Sequence, residues 1–139
     1  MLTILTALTV FGACVSARWY LDRTSRRETE RAGGRIRLRA LRNGGAAFGL
    51  PIGKRLLPGA SFAALGMLWT QRRRSPLGVG LALGGGLSNL LERLRRGSVY
   101  DYVQFPRAPG RLKRYVFNLA DFAILLGGLL LALRKKRRP

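Results

Sequence analysis

The stretch 115-YVFNLADFAILLGGLLLAL-133 decides the fold. Over 19 residues its strongly polar side chains are Asn118 and Asp121. As a helix it reaches about 28 Å at 1.5 Å per residue, close to one hydrocarbon thickness. A second block of 19 residues runs from Leu2 to Tyr20 with Arg18 as its single charge. Two shorter blocks, Leu56 to Thr70 and Pro76 to Leu91, carry no charge. They reach span length if the helices extend by a turn and the flanking Arg side chains snorkel. Five glycines between Gly78 and Gly86 suit close helix approach in lipid. The pattern predicts an α-helical membrane protein of one domain, 1–139, with four transmembrane helices at about 2–21, 56–71, 76–94 and 115–133. Buried helices of a soluble protein are the rival for the two shorter blocks, but such a domain would still have to hide the two long ones.

The chain has 139 residues, 26 Lys+Arg against 6 Asp+Glu, no His and one Cys. That composition excludes His-based catalysis, a Cys/His zinc site and an intramolecular disulfide. The formal net charge of +20 suggests nucleic acid at first sight. The Arg clusters, however, lie between apolar blocks, which points to anionic membrane lipids as the basic chain's partner and to no nucleic acid. No cofactor and no metal are expected. Phe11-Gly12-Ala13-Cys14 faintly resembles a lipoprotein cleavage site, but no Lys or Arg precedes the apolar run. A retained first helix with a buried Cys14 fits better.

Between the first two helices the composition shifts. Arg35 to Ala40 alternates polar and apolar, a strand signal that puts Ile36, Leu38 and Ala40 on one face. Asn43-Gly44-Gly45 reads as a turn, and Gly49 and Pro51 break the chain again. A small extracytoplasmic β element is therefore expected within 22–55. Charge alone does not orient the chain. Four spans put both termini on one side, yet ten Lys/Arg lie from Arg23 to Arg55 and seven from Arg93 to Arg114 on the other, which by count favours termini outside. The compact third link and dense tail favour termini inside.

With six carboxylates in the chain, each position is informative. Glu28 and Glu30 sit in a charged stretch, whereas Asp22, Glu92, Asp101 and Asp121 adjoin apolar segments. Asp121 falls six residues into the last block, and an ionisable group inside a span is a functional-site candidate by default. Asp101 follows the third helix on the membrane side where the fourth begins, so the two can meet near one interface. Two carboxylates held close cannot both ionise easily, so one keeps a proton while the other accepts one from water. That is the equipment of an aspartic protease. The alternative is that Asp121 simply pairs with an Arg such as Arg93.

Four blocks in order resemble the bacterial lipoprotein signal peptidase (signal peptidase II) family. Leu21-Asp22-Arg23-Thr24-Ser25-Arg26 is similar to LDxx[ST]K. Asn43 to Gly49 is similar to NxGAAFS. Gly85 to Arg93 is similar to GGxxGNxxDR, followed by Val99-Tyr100-Asp101-Tyr102, similar to VxDF. Phe117 to Asp121 is similar to FNxAD. The resemblance implies cytoplasmic termini, a small outer sheet, and a catalytic dyad of Asp101 and Asp121 at the extracytoplasmic face of the bacterial cytoplasmic membrane. It implies a diacylglyceryl-modified prolipoprotein as substrate, cut just before the lipidated Cys. The chain is expected to act as a monomer.

Supporting roles follow from this resemblance beside plainer readings. Asn118 and Asn89 are candidate donors to the tetrahedral intermediate or interhelical hydrogen bonds. Glu92, where the family has Asp, is expected to pair with Arg93; contact of Arg93 with lipid phosphate is the rival. Asn43 either brings the Ala46 to Phe48 turn over the site or only makes the turn. Asp22 positions the first helix or the substrate, or pairs with Arg26. Gly85, Gly86 and Ala120 leave room for an extended peptide, or serve packing alone. The competing function is a catalytically silent membrane relative that binds precursors or plays a structural role.

Overall fold

The computed structural model describes residues 1–24, 29–45 and 55–134. Ser25 and Arg26 of the first block, Ala46 to Gly49 of the second, the break at Pro51 and the tail from Lys135 lie outside the described residues. Along the chain come α1 (Leu2–Thr24), β1 (Thr29–Arg31), β2 (Ile36–Asn43), α2 (Leu57–Thr70), α3 (Pro76–Arg96), β3 (Val99–Gln104), β4 (Val116–Phe117) and α4 (Leu119–Leu133).

Helix α3 is the axis, with α1, α2 and α4 packed around it. It opens with Pro at its first position, where the missing N–H costs nothing, and closes on Gly97 at φ 68°, a left-handed cap that glycine adopts without strain. Its glycines let the neighbours come to backbone contact. A Cβ on Gly85 would lie 2.6 Å from the Ala120 carbonyl oxygen of α4, and one on Gly84 2.6 Å from the Ala7 carbonyl oxygen of α1. The small residues at 85, 86 and 120 were expected to leave room for a peptide. Instead Gly85 meets Ala120, which is fully buried, and Gly86 meets Leu65 of α2. Packing consumes that space.

The polarity of the bundle is inverted. The buried residues of α1 are Thr3, Cys14 and Arg18, while Leu2, Leu5 and Leu8 of the same helix are more than half exposed. Leu125 and Leu126 of α4 and Met67 of α2 are exposed likewise. Among the described helices α1 alone is long and apolar enough to cross a membrane by length and composition; α4 is apolar but has 15 residues.

The β element is larger than expected and only half of it lies between the first two helices. The sheet is antiparallel in the order β1-β2-β3-β4, and β3 and β4 come from the link between α3 and α4. Val99 to Tyr102 are buried one after another, so β3 shows no period of two to betray it. In β2 a register shift between Leu38 and Leu41 breaks the alternation: Ile36 to Arg39 are all half-buried, and Ala40 is exposed rather than sharing the face of Ile36 and Leu38.

Helix α4 starts at Leu119, not at residue 115. Val116 and Phe117 pair with Gln104 and Val103 of β3. Asn118 is then the helix cap: its Oδ1 accepts from the Asp121 N–H at 3.1 Å, and Asp121 Oδ2 accepts from the Asn118 N–H at 2.8 Å. This capping box satisfies two otherwise orphaned donors. Asp121 therefore stands in the first turn of α4, beside the sheet, and not a third of the way along a span.

The close crossing yields a test. Gly85→Ala has to displace α4 and should destabilise the fold by about 1–3 kcal/mol. Gly66→Ala, where an added Cβ meets nothing within 4 Å, should be neutral or stabilising. Thermal unfolding in detergent checks the pair; equal melting temperatures for the two variants would contradict the backbone contact.

Candidate active site

Four elements, β2, β3, α3 and α4, bring the site residues together. Asp101 lies in β3, opposite Leu41 of β2; Asn118 and Asp121 open α4; Asn89 projects from α3. Asp101 is 3% exposed and Asn118 is 1% exposed. Asn118 serves both acids. Its Nδ2 donates to Asp101 Oδ1 at 2.7 Å, while its backbone N–H donates to Asp121 Oδ2. Asn43 Nδ2 donates to the other Asp101 oxygen at 3.1 Å, and Asn89 Nδ2 donates to Asp121 Oδ1 at 3.2 Å. Each carboxylate thus accepts on both oxygens, and one asparagine joins them.

Burial pushes the Asp101 carboxyl up to about 6. The Asn118 amide opposes that rise, the neighbouring Asp121 adds to it, and Asn43 and Arg93 oppose it. Tyr102, missed at the level of sequence, accepts the Leu119 N–H on its hydroxyl at 2.9 Å and so binds β3 to the first turn of α4. Its aromatic place in the VxDF-like block was the available signal.

Asn43 makes a turn and also holds Asp101, a contact its place in the sequence did not suggest; the Ala46 to Phe48 segment lies outside the described residues. Its Oδ1 accepts the Gly45 N–H at 3.0 Å, forming the turn, while its amide holds Asp101. Ala120 does not line an open space. Asp22 pairs with Arg42 of β2 at 3.3 Å and Arg96 of α3 at 3.1 Å, clasping the end of α1 to the sheet.

Glu92 and Arg93 do not pair with each other. Consecutive helical residues point about 100° apart, and these two face different neighbours. Arg93 Nη2 donates to the Gly45 carbonyl oxygen at 3.3 Å, tying α3 to the turn after β2. Glu92 pairs with Arg18 of α1: Nε lies 2.6 Å from Oε2, with both side chains less than a tenth exposed. Arg18 also donates to Ser88 Oγ at 3.1 Å and to Asn89 Oδ1 at 3.0 Å. It is the second residue that sequence reasoning missed, although a lone charge in a 19-residue apolar block was its signal. Because Arg18 takes the Asn89 oxygen, the Asn89 nitrogen is turned to Asp121. A chain of contacts therefore runs from Glu92 through Arg18 and Asn89 to Asp121.

Breaking one side of this buried pair should be costly. Glu92→Ala or Arg18→Met should each destabilise the fold by about 3–5 kcal/mol, because the surviving charge is left uncompensated. The double variant Arg18→Met/Glu92→Met should lose much less than the sum. Thermal unfolding of the four proteins in one detergent reads the coupling, and additive losses would refute it.

Residues 3–135 match the family described as signal peptidase (SPase) II. A lipoprotein signal peptidase of Nitrobacter hamburgensis is 42% identical over 66 residues, 46% of this chain and 40% of that protein. One of Syntrophomonas wolfei is 38% identical over 128 residues, 84% of this chain and 80% of that protein. The chain thus spans less than half the length of the first and four-fifths of the second. A bacterial membrane enzyme solved by the in meso method at 2.3 Å superposes with a TM-score of 0.81 at 20% identity, over 99% of this chain and 93% of that one, which makes the fold common to both. With the match running nearly end to end, the chain belongs to the signal peptidase II family.

Proposed function

We propose that this protein is an aspartic endopeptidase that removes the signal peptide from diacylglyceryl-modified prolipoproteins, cutting the bond before the lipidated Cys. The observation that carries this reading is the asparagine-bridged pair of Asp101 and Asp121, in a family whose members are signal peptidases. Asp101, whose carboxyl is raised by burial, and Asp121 share one proton between them, so that one acts as the acid and the other as the base. The ionised acid takes a proton from water, whose oxygen attacks the scissile carbonyl carbon. The protonated acid supplies the leaving amine with its proton, and the C–N bond breaks. Asn118 and Asn89 each spend one amide hydrogen on an aspartate. Each amide has a second hydrogen, which is free for the oxyanion of the tetrahedral intermediate.

The four helices cross the bacterial cytoplasmic membrane, and the sheet end carries both acids at the extracytoplasmic face. The inverted polarity supports this placement: Leu side chains on α1 and α4 are exposed while Arg18, Glu92 and Asn118 are buried, an arrangement that water would penalise and lipid favours. Arg74 donates to the Arg134 carbonyl oxygen at 2.8 Å, so the α2–α3 link and the end of α4 meet at the opposite, cytoplasmic end.

Asp101→Asn and Asp121→Asn should each reduce cleavage of a lipid-modified precursor by several orders of magnitude in detergent with a metal chelator present, and both variants should remain folded. Near-parental cleavage by either variant would falsify the dyad, and a chelator-sensitive parent would refute the mechanism class.

The pH profile tests the roles. Cleavage should fall on the alkaline side as the proton held by the pair is lost. Asn43→Ala removes a donor that favours the ionised form of Asp101, so this alkaline limb should move to higher pH. A limb that stays in place or moves to lower pH would show that Asn43 does not act on Asp101.

A further inference from the structure

Two cavities adjoin along the seam between α1 and α3, away from the α4 face that carries the acids. One, of about 370 Å³, is apolar and lies between Leu8 and Phe11 of α1, Phe62 of α2 and Leu87 and Leu91 of α3. The other, of about 380 Å³, continues from Leu91 and Val15 towards the sheet end and is walled there by Trp19, Arg23 and Arg95. Leu8, Phe11, Val15 and Trp19 fall three or four residues apart on one stripe of α1, as do Leu87, Leu91 and Arg95 on α3. From Leu8 to Trp19 the seam is about 16 Å long.

At its upper end the described arginines outnumber the described carboxylates. Arg18 and Arg96 also border the upper cavity, but Glu92 and Asp22 neutralise them. Arg23 has no carboxylate among the described residues; its guanidinium is held over the Trp19 ring at 4.1 Å. Arg95 makes no ion pair or hydrogen bond with any described residue. Trp19 is 57% exposed, the position of an aromatic anchor at a membrane–water interface.

We propose that this seam is a binding site for an anionic glycerophospholipid, with one acyl chain in the apolar cavity and the headgroup phosphate between Arg23 and Arg95. The site rests on the membrane placement argued above and is independent of the peptidase chemistry. An apolar trough that ends in two guanidiniums without a carboxylate partner among the described residues, at the level of an interfacial Trp, matches a molecule that is apolar along its length and negative at its head. The diacylglyceryl group of a precursor fits the trough but brings no charge for the two arginines.

Trp19 supplies the readout, because the chain has two Trp and Trp69→Phe leaves Trp19 as the only one. Its quenching is measured in mixed micelles with dibrominated phosphatidylglycerol, phosphatidylcholine or diacylglycerol at matched mole fraction. Phosphatidylglycerol should quench at roughly 25-fold lower mole fraction than the other two, since each of the two guanidiniums near the anionic headgroup contributes a factor of about five. Arg23→Gln/Arg95→Gln should abolish that preference and leave cleavage intact. Equal quenching by all three lipids, or a preference that survives the double variant, would overturn the site. Loss of the preference on adding inorganic phosphate at the lipid's own concentration would also overturn it, because the ligand would then be phosphate alone. Quenching by none of the lipids would overturn the membrane placement as well. Native mass spectrometry of the unsubstituted chain should show phosphatidylglycerol retained over phosphatidylcholine, and retention of both alike counts against the site.

Discussion

Asn118 is the residue on which the site depends. It ends β4, caps α4, and reaches into β3 with its side chain. Its carbonyl oxygen is committed to the Asp121 N–H and its amide nitrogen to Asp101. The short Asn amide offers a separate acceptor for the helix cap and a separate donor for Asp101. A carboxylate there could cap α4 but could not, when ionised, donate to Asp101, and it would add a further negative charge. The spacing of the two acids is thus a consequence of how the helix begins, and the link between β4 and α4 cannot slip without separating them.

The second constraint is the polar interior of the bundle. Lipid offers no hydrogen bonds, so Arg18, Ser88, Asn89 and Glu92 must satisfy one another inside the bundle. The close approach of α1 and α3, made possible by Gly84, lets a side chain as long as Arg18 run between them to Glu92. Packing and polarity are therefore one arrangement: glycines bring the backbones together, and the polar chain fixes the rotation of α3 that aims Asn89 at Asp121. Glu for the family's Asp at residue 92 fits this picture, since the donor it accepts from is an Arg on a neighbouring helix.

The apolar blocks made four helices legible, because their separation by Arg clusters is a long-range compositional signal. The convergence of Asp101 and Asp121 was legible too, from the side of the bundle on which their segments end. The start of α4 was not read correctly, since Tyr115 to Phe117 are as apolar as the helix they precede and hydropathy does not distinguish strand from helix there. The Asn118-x-x-Asp121 capping pattern held the answer. The Arg18–Glu92 pair could not be inferred, because the partners are 74 residues apart and spacing says nothing of which helices adjoin. Strand β3 was hidden for a different reason: Val99 to Tyr102 are buried in succession, and its polar side chains bond to backbone and side-chain groups of the protein.

The central claim is that Asp101 and Asp121 act as one unit, and non-additivity tests it most directly. Cleavage rates on one lipid-modified precursor are compared for Asp101→Asn, Asp121→Asn and the double variant. If the two share a proton across the Asn118 bridge, the double variant is hardly slower than either single one. Losses that multiply in the double variant would mean that the carboxylates act independently, and the account of the site would be wrong.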